Sequence, residues 1–234
     1  MLWNTDRVEV TNLTGTEQEI HASVKVKSSN LYWLFTAVYA SPRFRERRLL
    51  WNNLKYVSSI HNLPWIIASD FNELLSSEEK FGGRPMSLYR ANLFKECLDS
   101  CNMADLGFQG PRFTWTNKQD ITTLIQGRLD RFFANPDWCV MYPEAQITHL
   151  TRCSSDHCLV LLELHLRATS GFQGPSGSKA FGCQTKHSQL LFEMHGLEMK
   201  IYLRLPPNSP EMLLIGTIHI LAIFLQKRGE LWPG

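Results

Sequence analysis

The sequence predicts an α/β fold, and three observations predict it. Apolar runs rich in β-formers occur at residues 31–40, 65–68 and 159–166. Between the first two, and again after the second, apolar positions recur at helical spacing over 43–60 and 87–102. Polar residues cluster directly at the ends of the runs, as in Ser69-Asp70-Phe71-Asn72 and Ser155-Asp156-His157. A strand covered on both faces has no polar side to alternate, so the runs read as buried strands and the periodic stretches as amphipathic helices.

The chain opens with residues 7–12 and 20–27, which alternate apolar and polar and read as half-exposed strands joined by a turn near Gly15. Leu31–Ala40 follows as a buried strand that Pro42 stops. Tyr39 lands at its end with a phenol that needs a polar partner, either at a core edge or toward a ligand. The helix at 43–60 carries Phe44, Leu50, Trp51, Leu54 and Val57 on one side. Arg43, Arg45, Arg47 and Arg48 crowd its start. Such a run can meet a phosphate backbone, but a solvated face is the favoured reading, since positive charge at a helix N-terminus is mildly unfavourable.

Trp65–Ala68 is the central strand, entered from Pro64 and followed by Asp70 and Asn72. Two-residue spacing in extended chain sends both side chains to one side. A carboxylate and an amide would then emerge at the carboxyl edge of a sheet, where open α/β sheets keep their ligand crevices. The competing reading is a plain turn, which Asp and Asn occupy constantly. Residues 73–85 form a polar loop, and Ser87 caps a second helix whose apolar side is Leu88, Ala91, Phe94, Leu98 and Cys101. After a Gly-Pro turn at 110–111, Phe113–Thr116 alternates as a strand, a second strand is expected near 128–133, and together they suggest a hairpin. Asp130 stands there between Arg128 and Arg131. It reads either as a surface charge pair, worth little, or as a carboxylate turned inward to orient a histidine. Asp156 beside His157 has the chemistry of a metal ligand, a proton donor or a phosphate contact, although a lone histidine is often structural.

Composition bounds these readings. The chain of 234 residues suits one domain with an appendage, and 44% hydrophobic with 20% charged residues is ordinary globular material. Net charge is +2; residues 167–234 hold seven Lys/Arg and four Glu, hence +3, which leaves 1–166 at −1. Bulk charge therefore makes no case for a nucleic-acid binder, although a nuclease that works with bound cations can be near neutral. The six cysteines (97, 101, 139, 153, 158 and 183) form no CxxC pair or zinc-finger spacing, and free thiols in a reducing compartment are expected. Met1–Asp6 has no basic start followed by an apolar run, so no secretory signal is read, and a nuclear or cytoplasmic location is expected. From Arg167 the texture changes: 170–178 reads as linker, and Met212–Leu225 is an interrupted apolar run of 14 residues. A membrane span needs about 20, so that run reads as a small packed or interfacial helix. The chain divides into a domain over 1–166 and a tail over 167–234.

Taken together and in order, Tyr39-Ala40-Ser41-Pro42, Ser69-Asp70-Phe71-Asn72, Gly127-Arg128-Leu129-Asp130-Arg131 and Ser155-Asp156-His157 resemble the endonuclease/exonuclease/phosphatase superfamily, which includes deoxyribonuclease I and the apurinic/apyrimidinic endonucleases. Ser77–Pro85 and the stretch from Asp105-Leu106-Gly107 to Thr116-Asn117 look most like plant LINE-type retrotransposon endonucleases. The resemblance covers about 1–166. It implies a four-layer α/β sandwich of two mixed sheets flanked by helices, here partial, and Mg²⁺-assisted phosphodiester hydrolysis of DNA. On the matching positions, Asp70 would orient or deprotonate the attacking water, and Asn72 would help hold it and the phosphate. Tyr39 would contact a phosphate oxygen. His157, fixed by Asp130, would stabilise charge developing on phosphorus, and Asp156 would be a metal ligand. Phosphoryl transfer needs positioned groups around developing negative charge, and Mg²⁺ prefers oxygen ligands.

The family also carries an upstream asparagine motif and an upstream glutamate that is its main Mg²⁺ ligand. Met1 falls after both, so the domain reads as N-terminally truncated, and Glu9, Glu17 and Glu19 are expected to occupy no comparable buried strand end and not to replace the missing ligand. Ser69 and Leu159 stand where glycine and proline are usual in the family. The resemblance then implies a weakly held Mg²⁺ (or Mn²⁺), an impaired endonuclease and an exposed sheet edge. Two rival readings stand beside it: a non-catalytic α/β remnant or nucleic-acid-binding module, and a phosphodiesterase acting on lipid head groups with the 212–225 helix against a membrane.

Overall fold

The computed structural model of the chain describes residues 8–27, 29–152 and 155–165, together with the backbone of 188–194, 197–204 and 217–224. The chain begins with β1 (Val8–Gly15), β2 (Glu19–Val26), β3 (Tyr32–Tyr39), α1 (Phe44–Ile60) and β4 (Trp65–Asp70). A 3-10 turn (Ser77–Glu79), β5 (Lys80–Phe81), α2 (Leu88–Ser100) and β6 (Ala104–Asp105) follow. Next come β7 (Trp115–Thr116), β8 (Gln126–Gly127), β9 (Asp130–Ala134), α3 (Pro136–Met141), β10 (Gln146–His149) and β11 (Val160–His165). The last strands are β12 (Ser188–Met194), β13 (Leu197–Arg204) and β14 (Thr217–Phe224).

These strands make two large sheets. The first is mixed, in the order β1-β2-β3-β4-β9-β6, with β3 and β4 its parallel pair. The second runs β10-β11-β14-β13-β12 and is antiparallel throughout; β5-β8-β7 forms a small third sheet. The period of two along the strands explains the layering. On β3, Trp33, Phe35 and Ala37 join the core shared with Val160, Leu162 and Leu164 of β11, whereas Leu34 and Val38 face the helices. On β4, Ile66 and Ala68 take the first side and Trp65 and Ile67 the second. Leu50, Trp51 and Leu54 of α1 and Phe94, Cys97 and Leu98 of α2 cover that second side. The result is helices on a mixed sheet on a second sheet, the expected α/β sandwich, with the second sheet antiparallel rather than mixed.

The first two strands, the two helices and the central strand lie where their patterns predict. Other expectations change. Trp115–Thr116 pairs with Gln126–Gly127, and Asp130–Ala134 pairs instead with β4 and β6, so the proposed hairpin of 113–116 with 128–133 does not form. All five residues of β9 are buried, with Phe132, Phe133 and Ala134 in the cores on either side of the large sheet, whereas the short hairpin ladder needs only two residues on each side. Arg47 is fully buried, against the expected solvated face, because its guanidinium has partners on both neighbouring loops. Glu19 is buried at the start of β2, where Asn53 donates to its Oε1 at 2.9 Å, so it does lie at a buried strand end, on the helix side of the sheet. Residues 217–224 form a strand rather than part of a helix over 212–225. Thr217, Ile218, Ile220 and Ile223 are β-branched, and pairing with β11 satisfies backbone groups that a helix would leave at a sheet edge. No helix among the described residues is long and apolar enough to cross a membrane. The linker read at 170–178 lies outside the described residues.

One polar cluster inside the helix layer yields a pH prediction. Thr36 Oγ1 lies 2.8 Å from both Trp65 Nε1 and His21 Nδ1. An indole only donates, so Thr36 Oγ1 accepts from Trp65 and keeps its own proton and a second lone pair for His21 Nδ1. Burial, with a smaller push from His61, lowers the His21 pKa from 6.5 to about 4. A group lowered in the folded state contributes stability above its unfolded pKa and loses it as pH falls, here from 6.5 through about 4. The contribution of this one group has an upper bound of about 3.5 kcal/mol. Urea unfolding of the wild type and of His21→Gln, which keeps an acceptor but does not titrate, should diverge at pH 7 and converge toward pH 4. Parallel pH curves would refute the assignment.

Candidate active site

The carboxyl ends of β3 and β4 are neighbours because the two strands run parallel, with Tyr39 opposite Asp70. On the other flank β9 runs antiparallel and sets Asp130 opposite Asp70. Two carboxylates directly across a ladder repel one another, and His157 occupies the place where that charge is answered. Its Nδ1 lies 2.9 Å and 3.2 Å from the two Asp130 oxygens, while Nε2 lies 4.0 Å from Asp70 Oδ2. Asp70, Asp130 and His157 are all buried. Asp130 is thus turned inward on a histidine, the second of the two readings its sequence context allows.

Asp70 and Asn72 meet, but through a turn rather than by strand alternation. β4 ends at Asp70, and Asn72 is in the left-handed region at φ 49°, which Asn tolerates better than most residues. Asn72 N donates to Asp70 Oδ1 at 3.0 Å, and its Nδ2 donates to Asp70 Oδ2 at 3.2 Å and to Ala40 O at 2.8 Å. The turn is anchored by Phe71 between them, whose ring packs within 5.0–6.3 Å of Phe133, Phe94 and Trp51. Aromatic pairs of this kind add about 0.5–1.5 kcal/mol each beyond area burial. Tyr39 is half-buried at the end of β3, and Ala40 N donates to Asp70 O at 2.9 Å, tying the two strand ends together.

Asp156 is half-buried beside His157 and outside the Asp70-Asp130-His157 group; its Oδ2 accepts from Trp115 Nε1 at 3.2 Å. Two supports here are illegible in the sequence reading. Thr114 Oγ1 accepts from the backbone N–H of Leu129 at 2.9 Å and of Asp130 at 3.0 Å, and Thr114 O accepts from Cys158 N at 2.7 Å. Phe113–Thr116 thus ties the Asp130 segment to the His157 segment; it reads in sequence as a half-exposed alternating strand, yet Thr114, Trp115 and Thr116 are all buried. Arg128 and Arg131 alternate with Asp105 and Glu79 in a closed ring of ion pairs. Asp105 receives both guanidinium groups at 2.8 Å and 2.9 Å, Arg128 reaches Glu79 at 3.6 Å, and Arg131 contacts Glu79 directly. Burial alone would raise the Asp105 pKa, but the two arginines hold it below its ordinary value.

The electrostatics of the centre follow from burial and proximity. Burial pushes the Asp70 carboxyl upward, opposed by His157 and reinforced by Asp130. Burial alone would depress His157, but the charge and hydrogen bond of Asp130, then Asp70 and Asp156, outweigh it and raise the ring to about 9. At neutral pH the site therefore presents an imidazolium held by the Asp130 carboxylate and aimed at the Asp70 carboxyl, which burial pushes up to about 7. One ligand atom from each of Asp70, Asp130 and His157 can be chosen so that all lie within 4.8 Å of one another, a set able to hold a metal ion. Asp70 is the best of the three for a hard cation, because both Asp130 oxygens face His157 and a protonated imidazole cannot ligate.

Among solved structures, the chain is similar to the endonuclease domain of TRAS1, a telomere-specific non-LTR retrotransposon, at 16% identity and TM-score 0.53, covering 67% of this chain and 68% of that one. It is also similar to the human Nocturnin catalytic domain with bound sulfate, at 17% identity and TM-score 0.40, covering 66% of this chain and 60% of that one. A third similar structure is D. rerio TDP2 complexed with single strand DNA product, at 16% identity and TM-score 0.40, covering 65% of this chain and 66% of that one. The first of these supports the same fold. No curated protein sequence matches the chain. The family model for the endonuclease/exonuclease/phosphatase family matches residues 3–157, the span that carries every residue of the centre described above. The chain belongs to the endonuclease/exonuclease/phosphatase family.

Proposed function

We propose that the chain carries a retrotransposon-type DNA endonuclease site, assisted by a divalent cation. The observation that carries this is the buried alignment of Asp130, His157 and Asp70, with His157 Nε2 4.0 Å from Asp70 Oδ2. That gap is too long for a hydrogen bond, and an oxygen atom of a water or a phosphate set to one side of the line between them would reach both at hydrogen-bond distance. Asp70 orients a water there and accepts its proton. The imidazolium of His157 donates through Nε2 to the phosphate oxygens as negative charge grows, and Asp130 keeps Nδ1 protonated and the ring in place. Asn72 holds the Asp70 carboxylate in orientation, Tyr39 approaches a phosphate oxygen from the end of β3, and Asp156 lies beside the ring as a further carboxylate for the cation. A Mg²⁺ or Mn²⁺ ion held by Asp70, with Asp156 as its second candidate, supplies neutralisation of phosphate charge and a more acidic water. With so few free carboxylates, affinity for Mg²⁺ is expected to be low. We assign this activity to the 1–166 segment, with DNA as substrate.

The deciding experiment is nicking of supercoiled plasmid by the purified chain in Mg²⁺ or Mn²⁺, beside Asp70→Ala and His157→Ala. Nicking lost in both variants, at least about 100-fold below the wild type, is the expected result. Absence of nicking, or equal nicking by all three proteins, would leave a fold whose residues record ancestry rather than activity.

A further inference from the structure

The geometry points to Arg47 as a positioning residue that couples the Tyr39 loop to the Asp70–Asn72 turn; its catalytic meaning rests on the reading above. Arg47 sits in the first turn of α1, in a run of arginines that looks like a solvated face, yet its side chain is fully buried. Its guanidinium is divided between the two loops. Nη1 donates to Ser41 O at 2.7 Å and Pro42 O at 2.9 Å, just beyond the end of β3, and Nη2 donates to Glu73 Oε2 at 2.9 Å, just beyond Asn72.

Beyond Tyr39 and Asp70 the ladder between β3 and β4 stops, and the carbonyls of 40–42 have no strand partner to order them. Three groups take over. Asn72 Nδ2 binds Ala40 O, and Arg47 binds the next two carbonyls. Glu73 closes the circuit, since it follows Asn72 in the chain and is itself only 6% exposed. Arg90 also reaches Glu73, at 3.0 Å, but among the described residues its side chain makes no hydrogen bond to Ser41 or Pro42, so it supports the carboxylate without joining the loops. A planar fork with fixed donors can serve three acceptors on two loops at once; an ammonium on a flexible stem cannot hold them in the same plane. Losing Arg47 therefore loosens the angle between the two loops, and with it the seat of Asn72 on Ala40 and Asp70.

The test uses the full chain and Arg47→Lys, Glu73→Gln and Arg90→Gln. In ¹⁵N spectra of the wild type, the Asn72 side-chain amide should be displaced from free-amide positions and protected from exchange. In Arg47→Lys and Glu73→Gln it should move toward free-amide positions, while in Arg90→Gln it should stay. Thermal unfolding of the same samples identifies any variant that fails to fold, and Glu73→Gln keeps the test open if Arg47→Lys does. In nicking assays Arg47→Lys should lower kcat about 10- to 100-fold with little change in KM, as a small misplacement of a reacting group does. An Asn72 amide that is unmoved in both folded variants, or already free in the wild type, overturns the assignment. So does unchanged kcat in folded Arg47→Lys. If the wild type does not nick, the catalytic reading fails alone, and the Asn72 resonance still decides whether Arg47 joins the loops.

Discussion

Asp130→Asn should abolish most plasmid nicking, by about 10²–10³-fold, while leaving the chain folded. The substitution keeps size and shape, but an amide can present a hydrogen as well as an oxygen to His157 Nδ1. The ring then loses the charge that raises it to about 9, and burial, which pushes the other way, takes over. Two readouts follow. In the wild type, nicking should fall on the alkaline side near pH 9, as His157 gives up its proton. In Asp130→Asn that limb should move to lower pH, and an NMR titration of His157 should show a pKa well below the wild-type value, with only Asp70 and Asp156 left to oppose burial. The stability consequence has a definite sign as well. A histidine raised in the folded state contributes stability that is complete below 6.5 and is lost as pH rises through about 9. Asp130→Asn should remove that slope between pH 6.5 and 9. A variant that nicks like the wild type, or keeps its His157 pKa near 9, would show that the carboxylate does not govern the ring.

Arg131→Met should destabilise the chain by about 3 kcal/mol, a far larger effect than an exposed ion pair gives. Arg131 is fully buried and contacts both acidic members of the ring, Asp105 and Glu79. Removing it leaves two carboxylates facing one remaining arginine, in a site where Asp105 is 24% and Glu79 15% exposed. The partial exposure of those carboxylates places the estimate at the lower end of the range for a broken buried pair. The ring also joins the 3-10 turn before β5, the end of β6 and the entry to β9, so its loss should disturb the residue next to it, Asp130. Urea unfolding measures the first effect, and the His157 titration reads the second. Loss below about 1 kcal/mol would class the ring with solvated surface pairs.

The sequence by itself carried the fold class, the two helices and every strand of the first sheet except the two-residue β6, since period-two and helical patterns are local and the chain follows them. It also carried the order of the site residues. Tyr39, Asp70, Asn72, Asp130, Asp156 and His157 stand in motifs at the ends of apolar runs, and the structure gathers the ends of β3 and β4, the start of β9 and the residues before β11 at one edge. Pairing was beyond it. Phe113–Thr116 and the 128–133 stretch look like hairpin partners along the chain, but β9 finds more buried ladder beside β4 than beside β7. The 217–224 stretch is apolar enough for a helix or a strand, and only a neighbouring edge, β11, selects the strand. Burial of charge was equally out of reach. An arginine among arginines near a helix start reads as solvated, because nothing local reveals that two loops leave their carbonyls and a glutamate waiting for it. The positions that tertiary structure alone decided, Arg47, Thr114 and the Arg128–Arg131 ring, satisfy partners 5 to 52 residues away. Hydrophobic periodicity is written along the chain, whereas a hydrogen bond between distant segments exists only once the fold has brought them together.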